Sequence, residues 1–507
     1  MKTTWIQPVA DNAMTVARVP VAGGRTIVAL ALVCLMTACA PMPALGPVTD
    51  ARTPESFTSK QSFKAPEAGW PSDRWWEKYG DAQLTQLIEE GLKDAPDLKV
   101  AQARLRRAEA QSQSVGSVLY PQLTGNANLF GQELSNNYIV PPAYNPQGWR
   151  SYGQASLNFN WEIDFWGKNR SALAAAVSES QARRAEVAQA RLMLTTSIAL
   201  SYADLVRLFA DRATAVKALE IRRKTLSLFS ERQQQGLENA GAVSQAAGKK
   251  LLAENELVQI DVRIAEARNR LAALVGAGPD RGLSITPQQT VLQAHYALPP
   301  EIGINLIGRR PDIVASRWQA EAGQSRIEQR QAMFYPNVNI AALVGVQSMG
   351  INRLVESGSY MSNAGPAIYL PIFLGGKLRA ELAASRAEYS ESVANYEKTL
   401  IQALNEVADA AAGLQQLQQQ VRLADQSVAA QTRGVQVAVN RYRGGLANYL
   451  DVLIAEDELL SGWRVRTNVR SRAFTLDVGL TKALGGGYRM DEATDRREDK
   501  KSEEFPQ

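Results

Sequence analysis

The sequence has very little of the residues that enzyme and metal chemistry usually require. It contains one histidine and two cysteines among 507 residues, and both cysteines lie within the first 39 positions. A histidine-based catalytic triad, a cysteine zinc site and a disulfide in the main body are therefore excluded. No constellation of residues supports a reaction, so we predict a protein that is not an enzyme and binds no cofactor or metal.

The excess of one charge sign over the other is small, and aromatic residues and long apolar runs are also scarce. Lys and Arg number 56 against 51 Asp and Glu, the formal net charge is +5, and aromatic residues make up 7%. Because the positive charges are scattered, there is no basic stripe for a nucleic-acid partner. After the N-terminal leader no apolar run approaches the ~18 residues of a membrane-spanning helix, so we predict no transmembrane helix.

The N-terminus has the pattern of a secretory signal. Residues 27–36 form an apolar run that follows Arg18 and Arg25 and precedes small residues. A basic flank, a short apolar segment and a small-residue cleavage site are typical of such signals. We therefore expect residues 1–38 to be removed, with translation beginning at Met1 or Met14.

The end of this leader, Met36-Thr37-Ala38-Cys39, resembles the lipobox of bacterial lipoproteins. The resemblance implies that Cys39 is acylated and becomes the first residue of the mature chain. Methionine replaces the usual leucine three residues before the cysteine, and an ordinary signal peptide with an incidental cysteine is the alternative. Ala40 resembles the pattern that directs such lipoproteins to the outer membrane.

The chain is an internal duplication. Three landmarks recur, the first after 215 residues and the others after 209: Tyr120-Pro121 as Tyr335-Pro336, Gly167-Lys168 as Gly376-Lys377, and Gly236-Leu237 as Gly445-Leu446. Each half reads as helix, strand, loop, strand, very long helix, turn and helix. The predicted organisation is an anchored N-terminal segment, a first repeat, a linker, a second repeat and a charged disordered tail, at residues 39–74, 75–276, 277–300, 301–487 and 488–507.

Two strands are predicted in each half. Apolar and polar residues alternate without error from Gln154 to Phe165, and the same alternation runs over residues 122–129 and 338–346. We place the fourth strand at residues 367–373. One apolar and one polar face is the pattern of an outer-membrane barrel, and a soluble sheet with one wet face is the alternative. The aromatic residues on the apolar face favour lipid.

The helices after each glycine break are very long. Residues 168–235 and 377–443 contain no proline, and at 1.5 Å per residue each would extend about 100 Å. In the second of them, an apolar seam with a 3.5-residue period runs from Tyr389 to Val435, which predicts coiled-coil packing. Four strands cannot close alone in lipid, so several chains must contribute strands. Two copies would give eight strands, and three would give twelve, enough for a pore.

Together these motifs resemble the outer-membrane efflux factors of the TolC/OprM type, in particular the lipoprotein branch. The resemblance covers roughly Trp75 to Gly486 and rests on the Tyr-Pro pairs and four further motifs: Trp75-Trp76 with Leu84 and Leu87, residues 306–312 (LIGRRPD), residues 370–376 (LPIFLGG) and residues 444–453 (GGLANYLDVL). The fold it implies is mainly α with β. The resemblance further implies a homotrimer whose 12-stranded outer-membrane β-barrel continues into a 12-helix periplasmic α-barrel.

The resemblance also implies partners and a role. The trimer would be lipid-anchored in the outer membrane, extend into the periplasm and dock onto a periplasmic adaptor (membrane fusion) protein and an inner-membrane RND transporter. It would be the passive exit duct for small molecules, and the transporter would supply the energy. One alternative is the outer-membrane duct of a type I protein-secretion system. An alternative of another class is a lipid-tethered periplasmic coiled-coil scaffold.

The family closes its periplasmic end with helix pairs and carboxylate rings, and the resemblance places Asp451 at such a ring. The next acidic position of the family is Ile454 here, which implies an apolar constriction beneath a single acidic ring. The equivalent of Asp451 in the first half is Ala242, so that hairpin adds no charge. The alternative for Asp451 is a helix-start residue that binds free backbone amides.

If Cys39 is the lipidation site, the substitution Cys39→Ser should abolish incorporation of a labelled fatty acid. Cys34→Ser, which changes the other cysteine, is the matched control and should keep the label. Unchanged labelling of Cys39→Ser would place the modification elsewhere or show that there is none.

Overall fold

The computed structural model describes residues 46–47, 50–52, 56–57, 61, 63, 65–137, 141–286, 297–300 and 302–490. The predicted signal segment, Cys39, part of the predicted linker and residues 491–507 of the predicted tail lie outside the described residues. The described chain forms two compact units. The sheet unit comprises residues 119–168 and 330–382, and the helical unit comprises residues 46–118, 169–329 and 383–490.

The duplication predicted from the sequence is visible in the order of the elements. The first half contains α1 (Ala82–Asp94), α2 (Pro96–Gly116), β1 (Gln122–Gln132), β2 (Arg150–Ile163), α3 (Lys168–Gln234) and α4 (Ala240–Leu274). The second half contains α5 (Ile302–Arg309), α6 (Pro311–Ala332), β3 (Asn337–Met349), β4 (Tyr360–Tyr369), α7 (Lys377–Arg443) and α8 (Tyr449–Ala483). A turn of 3₁₀-helix at Trp75–Tyr79 and a one-turn helix at Asp280–Leu283 accompany the first half.

The four strands form one antiparallel sheet in the order β1-β2-β3-β4. Leu157 of β2 lies opposite Gly125 of β1 and Val344 of β3, and Asn158 lies opposite Thr124 and Leu343. Residues directly opposite each other in an antiparallel pair share a face. The apolar residues of β2 therefore join those of its neighbours in one continuous apolar face, and the predicted alternation is confirmed.

The position predicted for the fourth strand was wrong. β4 covers Tyr360–Tyr369 rather than residues 367–373. The apolar run around Ile368 drew the prediction toward the C-terminal side, whereas most of the strand is made of small and polar residues. The ladder with β3 ends at Tyr369, and Pro371 together with the positive φ of Gly375 and Gly376 marks the turn that leads into α7.

The long helices match their predicted extents closely. α3 and α7 have 67 residues each, and α4 and α8 have 35 each. At 1.5 Å per residue the long pair measures about 100 Å. The fourteen positions of the α7 seam, reached from Tyr389 to Val435 in alternating steps of four and three, are all buried or half-buried, including Leu400, Ala403 and Val407. The seam therefore packs as the 3.5-residue period predicted.

One segment of α3 is long and apolar enough to span a membrane, judged by length and composition alone. The sequence predicted no transmembrane helix, because it contains no long uninterrupted apolar run after the leader. The mean hydropathy of this segment is 1.3, and 56% of it is buried inside the protein. The apolar side chains concerned include Ile198 and Leu205, which lie in the largest core cluster. A buried core helix accounts for this segment, because its apolar residues already have protein neighbours.

The core of the helical unit uses the motif residues identified from the sequence. Trp75, Trp76, Leu84 and Leu87 are all at most 3% exposed and belong to one apolar cluster. Asp81 caps α1, because its carboxylate accepts hydrogen bonds from the backbone N–H groups of the helix start, and it also accepts the hydroxyl hydrogen of Tyr202 at 2.6 Å.

The Arg309-Arg310-Pro311-Asp312 segment, part of the motif at residues 306–312, has a structural role. Arg310 is 5% exposed and forms ion pairs with Asp312 (2.6 Å) and with Glu406 of α7 (2.7 Å). It also donates to the carbonyl oxygen of Ala483 at the end of α8. Because a buried guanidinium needs several acceptors, this side chain joins three helices.

A glycine turn after α8 depends on the same segment. Gly485 has φ +86°, and a β-carbon built on it would overlap the carbonyl oxygen of Arg309. Both the backbone conformation and the close approach require glycine. We expect Gly485→Ala to lower the free energy of unfolding by about 1–3 kcal/mol.

Gly479→Ala is the matched control for that substitution. Gly479 lies within α8 with no atom near its missing β-carbon, so alanine should leave stability unchanged or raise it by up to ~1 kcal/mol. The measurement is the unfolding midpoint of the detergent-solubilised protein. Equal midpoints for Gly485→Ala and the unmodified protein would contradict the packing argument.

Candidate functional site

The two helical hairpins turn in the same way. Gly236 and Gly445 have φ +71° and +73°. The residue after each glycine donates its N–H to a carbonyl five residues back, at 2.8 Å in both: Leu237 to Arg232 and Leu446 to Arg441. This is the glycine-dependent helix end known as the Schellman motif. The repeated Gly-Leu landmark is therefore a repeated turn geometry.

The helix that follows each turn begins with an asparagine cap, but only the second cap is reciprocal. Asn239 accepts the N–H of Ala242 at 2.9 Å, and Asn448 accepts the N–H of Asp451 at 3.0 Å. Asp451 in turn accepts the Asn448 N–H through Oδ2 at 3.1 Å, which completes a capping box. The helix-start role considered for Asp451 is therefore present, and its side chain is still exposed to solvent.

Asp451 and Ile454 lie together on the exposed side of α8, because residues three apart share a helix face. Ile454 is 50% exposed, and Leu450 beside it is 47% exposed. Val452 and Leu453, on the opposite side, are buried. Ala242, at the position equivalent to Asp451, is fully buried. At this pair of equivalent positions, the second hairpin therefore presents a carboxylate to solvent and the first presents none.

An apolar cluster joins the tips of both hairpins. We call it the tip cluster, and its buried members are Phe229, Ala242, Ala246, Tyr442, Val452 and Leu453. Tyr442 donates its hydroxyl hydrogen to Glu238 at 2.6 Å, and the Arg232 guanidinium lies over its ring at 4.7 Å. Burial and the bond to Glu238 raise the pKa of Tyr442, so its hydroxyl stays a donor. Sequence reasoning missed this contact, since the two residues are 204 positions apart.

A second link between the hairpins lies further along the helices. Arg222 of α3 and Glu456 of α8 are buried and form an ion pair at 2.6 Å. Glu456 also accepts the Thr225 hydroxyl, and Arg222 also reaches Asp457, which pairs with Lys249 at 2.6 Å. Burial raises the pKa of Glu456, although Thr225 and Arg222 act in the opposite direction. The only sign of this ion pair in the sequence is that Arg222 and Glu456 are charged residues on helix faces that are otherwise apolar.

These contacts fasten α3 and α4 to α7 and α8 near the turns. Removing only the Tyr442 hydroxyl, with Tyr442→Phe, should weaken the tip by about 1–2 kcal/mol, because a partly buried hydrogen bond to a carboxylate is lost. Hydrogen exchange of backbone amides in residues 226–246 and 438–453 should then be faster, while the rest of the helices is unchanged.

Tyr449→Phe is the matched control for this substitution. Tyr449 packs on Phe229 in the same cluster, but its hydroxyl does not bind Glu238. Its tip amides should exchange as in the unmodified protein. If both variants behave alike, the hydrogen bond to Glu238 does not hold the tips together.

Several known proteins are similar to this chain in sequence and in fold. The profile of the family described as outer membrane efflux protein matches residues 87–277 and 305–486. The multidrug resistance outer membrane protein MdtQ of Escherichia coli O157:H7 is 30% identical over 480 residues, which cover 90% of this chain and 97% of MdtQ. The fusaric acid resistance protein FusA of Burkholderia cepacia is 32% identical over 373 residues, 72% of this chain and 70% of FusA.

Solved structures agree with these sequence matches. The outer membrane protein VceC of Vibrio cholerae superimposes with a TM-score of 0.77 at 45% identity, covering 83% of this chain and 100% of VceC. The CmeC outer membrane channel of Campylobacter jejuni has the same fold, with a TM-score of 0.79 at 22% identity over 92% of this chain and 99% of CmeC. The chain described here therefore belongs to the outer membrane efflux protein family.

Proposed function

We propose that three copies of this chain form a 12-stranded β-barrel in the outer membrane that continues into a 12-helix tube in the periplasm. The observation that carries the proposal is the four-stranded sheet, whose β1 and β4 each leave one edge unpaired. Unpaired backbone groups are not tolerated in lipid. Eight strands from two copies would be filled by their own side chains, whereas twelve from three copies leave a channel.

The two faces of the sheet support the same assignment. The apolar face carries exposed side chains such as Leu123, Leu129 and Leu157. Asn126, Asn158 and their neighbours lie on the other face. Apolar residues toward lipid and polar residues toward water is the arrangement of membrane barrels. We assign the polar face to a water-filled lumen through which small molecules diffuse.

The exit duct would work in a tripartite efflux pump. A channel without an energy source requires a partner, and we propose an inner-membrane RND transporter connected through a periplasmic adaptor. MdtQ is named for multidrug resistance and FusA for fusaric acid resistance, so we propose small toxic organic compounds as cargo. The duct of a type I protein-secretion system is the second candidate, and transport of a small dye in reconstituted pumps would separate the two.

We further propose that the mature chain begins at Cys39 with an acyl anchor in the outer membrane, followed by the segment at 39–74, the repeats at 75–276 and 301–487 with the linker 277–300 between them, and the tail at 488–507. Because the chain belongs to the outer membrane efflux protein family, we no longer interpret it as a lipid-tethered periplasmic scaffold.

At the periplasmic end, we propose Asp451 and Ile454 as the aperture. Three copies around an axis would bring three Asp451 carboxylates together, with an apolar ring of Ile454 one turn away. Only Oδ2 of Asp451 is used by the capping box, so the charge remains available to attract cations. Opening requires the hairpins at residues 236–243 and 444–453 to separate.

The test is the ion selectivity of the purified protein in planar bilayers, with its mass determined in parallel. The unmodified protein should be a trimer that gives discrete cation-selective steps. Asp451→Asn removes the charge but keeps an oxygen that can accept the Asn448 N–H, so its reversal potential should move toward zero while the fold is preserved.

Ala242→Asp is the matched control, because it places an acidic residue at the equivalent but fully buried position of the first hairpin. A carboxyl buried there would not face the lumen, so the fraction that folds should keep the selectivity of the unmodified protein, and its stability should be measured alongside. Unchanged selectivity of Asp451→Asn would assign Asp451 to helix capping alone. A monomer without conductance would overturn the proposed channel.

A further inference from the structure

A cavity of about 210 Å³ lies at the junction where the strands pass into the helices. Its lining comes from the end of β2 and the start of α3, the end of α6 and the start of β3, and the end of β4 and the start of α7. One chain therefore supplies this lining. The volume is below the ~300 Å³ of pockets for drug-sized ligands, so the cavity fits a small polar headgroup and excludes a larger molecule.

One side of the cavity is an aromatic wall. Trp166 stacks on Tyr335 with ring centroids 4.6 Å apart and an interplanar angle of 15°. The indole N–H of Trp166 also donates to the Pro336 carbonyl at 2.9 Å, which fixes the orientation of the ring. Both rings keep part of their surface exposed. Such a wall combines an apolar body with a polar edge, as aromatic residues at membrane interfaces do.

The charged residues of the lining comprise two of each sign. Glu162 and Asp164 are negative, and Lys168 and Lys377 are positive. Lys168 pairs with Glu162 at 2.5 Å. Lys377 is 68% exposed, and among the described residues the only carboxylate within 4.0 Å of its ammonium group is that of Glu381, at 3.9 Å. A lining with separated charges of both signs is complementary to a zwitterion.

The duplication shows that the junction can be built without most of this lining. The offset of 209 residues relates the end of β2 to the end of β4. Both carboxylates and the tryptophan of the first copy are missing from the second: Glu162 corresponds to Pro371, Asp164 to Phe373 and Trp166 to Gly375. The lysine is present in both copies, as Lys168 and Lys377. The three side chains therefore belong to the cavity and are not required wherever a strand passes into a long helix.

We propose that this cavity binds the headgroup of phosphatidylethanolamine, a zwitterionic phospholipid. The Lys377 ammonium group binds the lipid phosphate, and the exposed Tyr369 hydroxyl donates to the same group. The lipid ammonium donates to the carboxylates of Glu162 and Asp164. Glu162 can accept from the lipid and from Lys168 together, because a carboxylate has about four lone-pair positions. This inference rests on the proposed placement of the sheet in the outer membrane.

The position of the cavity along the strands agrees with this ligand. At this end of the sheet β2 passes into α3 and β4 passes into α7. With the helices in the periplasm, as proposed, this end lies at the inner leaflet, which consists of phospholipids. Ile368, on the apolar face opposite Val338, and Phe165 are both exposed nearby. They offer apolar surface to acyl chains that the cavity is too small to hold.

The experiment is a lipid titration of the full-length protein, delipidated in detergent and followed by native mass spectrometry. The probes are phosphatidylethanolamine and phosphatidylglycerol with identical acyl chains. The trimer should bind one phosphatidylethanolamine per chain, about tenfold more tightly than phosphatidylglycerol, since only the former makes hydrogen bonds from an ammonium group to the carboxylates.

The substitution Lys377→Gln tests the phosphate side of the cavity. It removes a charged donor from an exposed side chain, so the fold should be kept while both lipids bind about tenfold more weakly. Lys398→Gln is the matched control, because Lys398 is an exposed lysine of the same helix outside the cavity. It should bind both lipids as the unmodified protein does.

The double variant Glu162→Gln/Asp164→Asn tests the ammonium side. It leaves the two lysines without the two carboxylates, so the order of affinity should reverse and the anionic phosphatidylglycerol should bind more tightly. Asp164→Asn alone keeps the Lys168–Glu162 pair and should reduce the preference without reversing it. The single variant gives the answer if the double variant does not assemble.

Phosphatidylethanolamine binding that neither Lys377→Gln nor the carboxylate variants change would overturn the site. Soluble glycerophosphoethanolamine that binds as tightly as the lipid would overturn a membrane lipid as the occupant. A trimer that conducts ions but binds no phosphatidylethanolamine would overturn the site and leave the proposed channel standing. A monomer without conductance contradicts the channel itself, so the two failures are distinguishable.

Discussion

A backbone amide at the edge of a β-sheet must find a hydrogen-bond partner, and hydrocarbon offers none. In this chain the constraint applies to both outer strands, since the sheet ends at β1 on one side and β4 on the other. A sheet with one apolar face would still be unstable in lipid while the backbone N–H and C=O groups of those edges lacked hydrogen-bond partners. In the proposed barrel, strands of neighbouring copies would supply those hydrogen-bond partners.

Two opposing tendencies meet at the hairpin tips. The tip cluster and the Arg222–Glu456 pair hold the hairpins of one chain together with buried contacts. Asp451 is exposed in the same region, and in the proposed trimer the three like charges would lie around one axis and repel one another. The opening proposed for the tip would depend on the balance between this repulsion and the buried contacts. Tyr442 illustrates the point, because one hydroxyl connects the two turns.

Much of this fold could be predicted because its signals are local. The glycine breaks, the period of the seam and the alternation in β2 each depend on residues close in sequence, and their boundaries agree with the structure to within a few residues. β4 was misplaced because its strand residues are small and polar, while the more apolar residues 370–373 follow it. The links at Tyr442 and Arg222 could not be predicted, since they join residues more than 200 positions apart whose alignment depends on how the two hairpins pack. That Asp451 and Ile454 share one face of α8 does follow from their spacing, whereas the exposure of that face is seen only in the structure.

The two β-hairpins repeat one register, since the pair Gln122–Asn160 of the first corresponds to Asn337–Tyr369 of the second. This repetition has a consequence for the origin of the molecule. A chain of half this length, with one hairpin and one pair of long helices, would satisfy the same pairing rules as a ring of six identical subunits. Fusing two such halves lowers the symmetry to three-fold and frees each half to change alone. Asp451 against Ala242, and Trp166, which stacks on Tyr335, against Gly375 are differences that a six-fold ring could not contain. In the proposed trimer, fusion would thus permit three carboxylates at the tip where a ring of six identical subunits would have six or none.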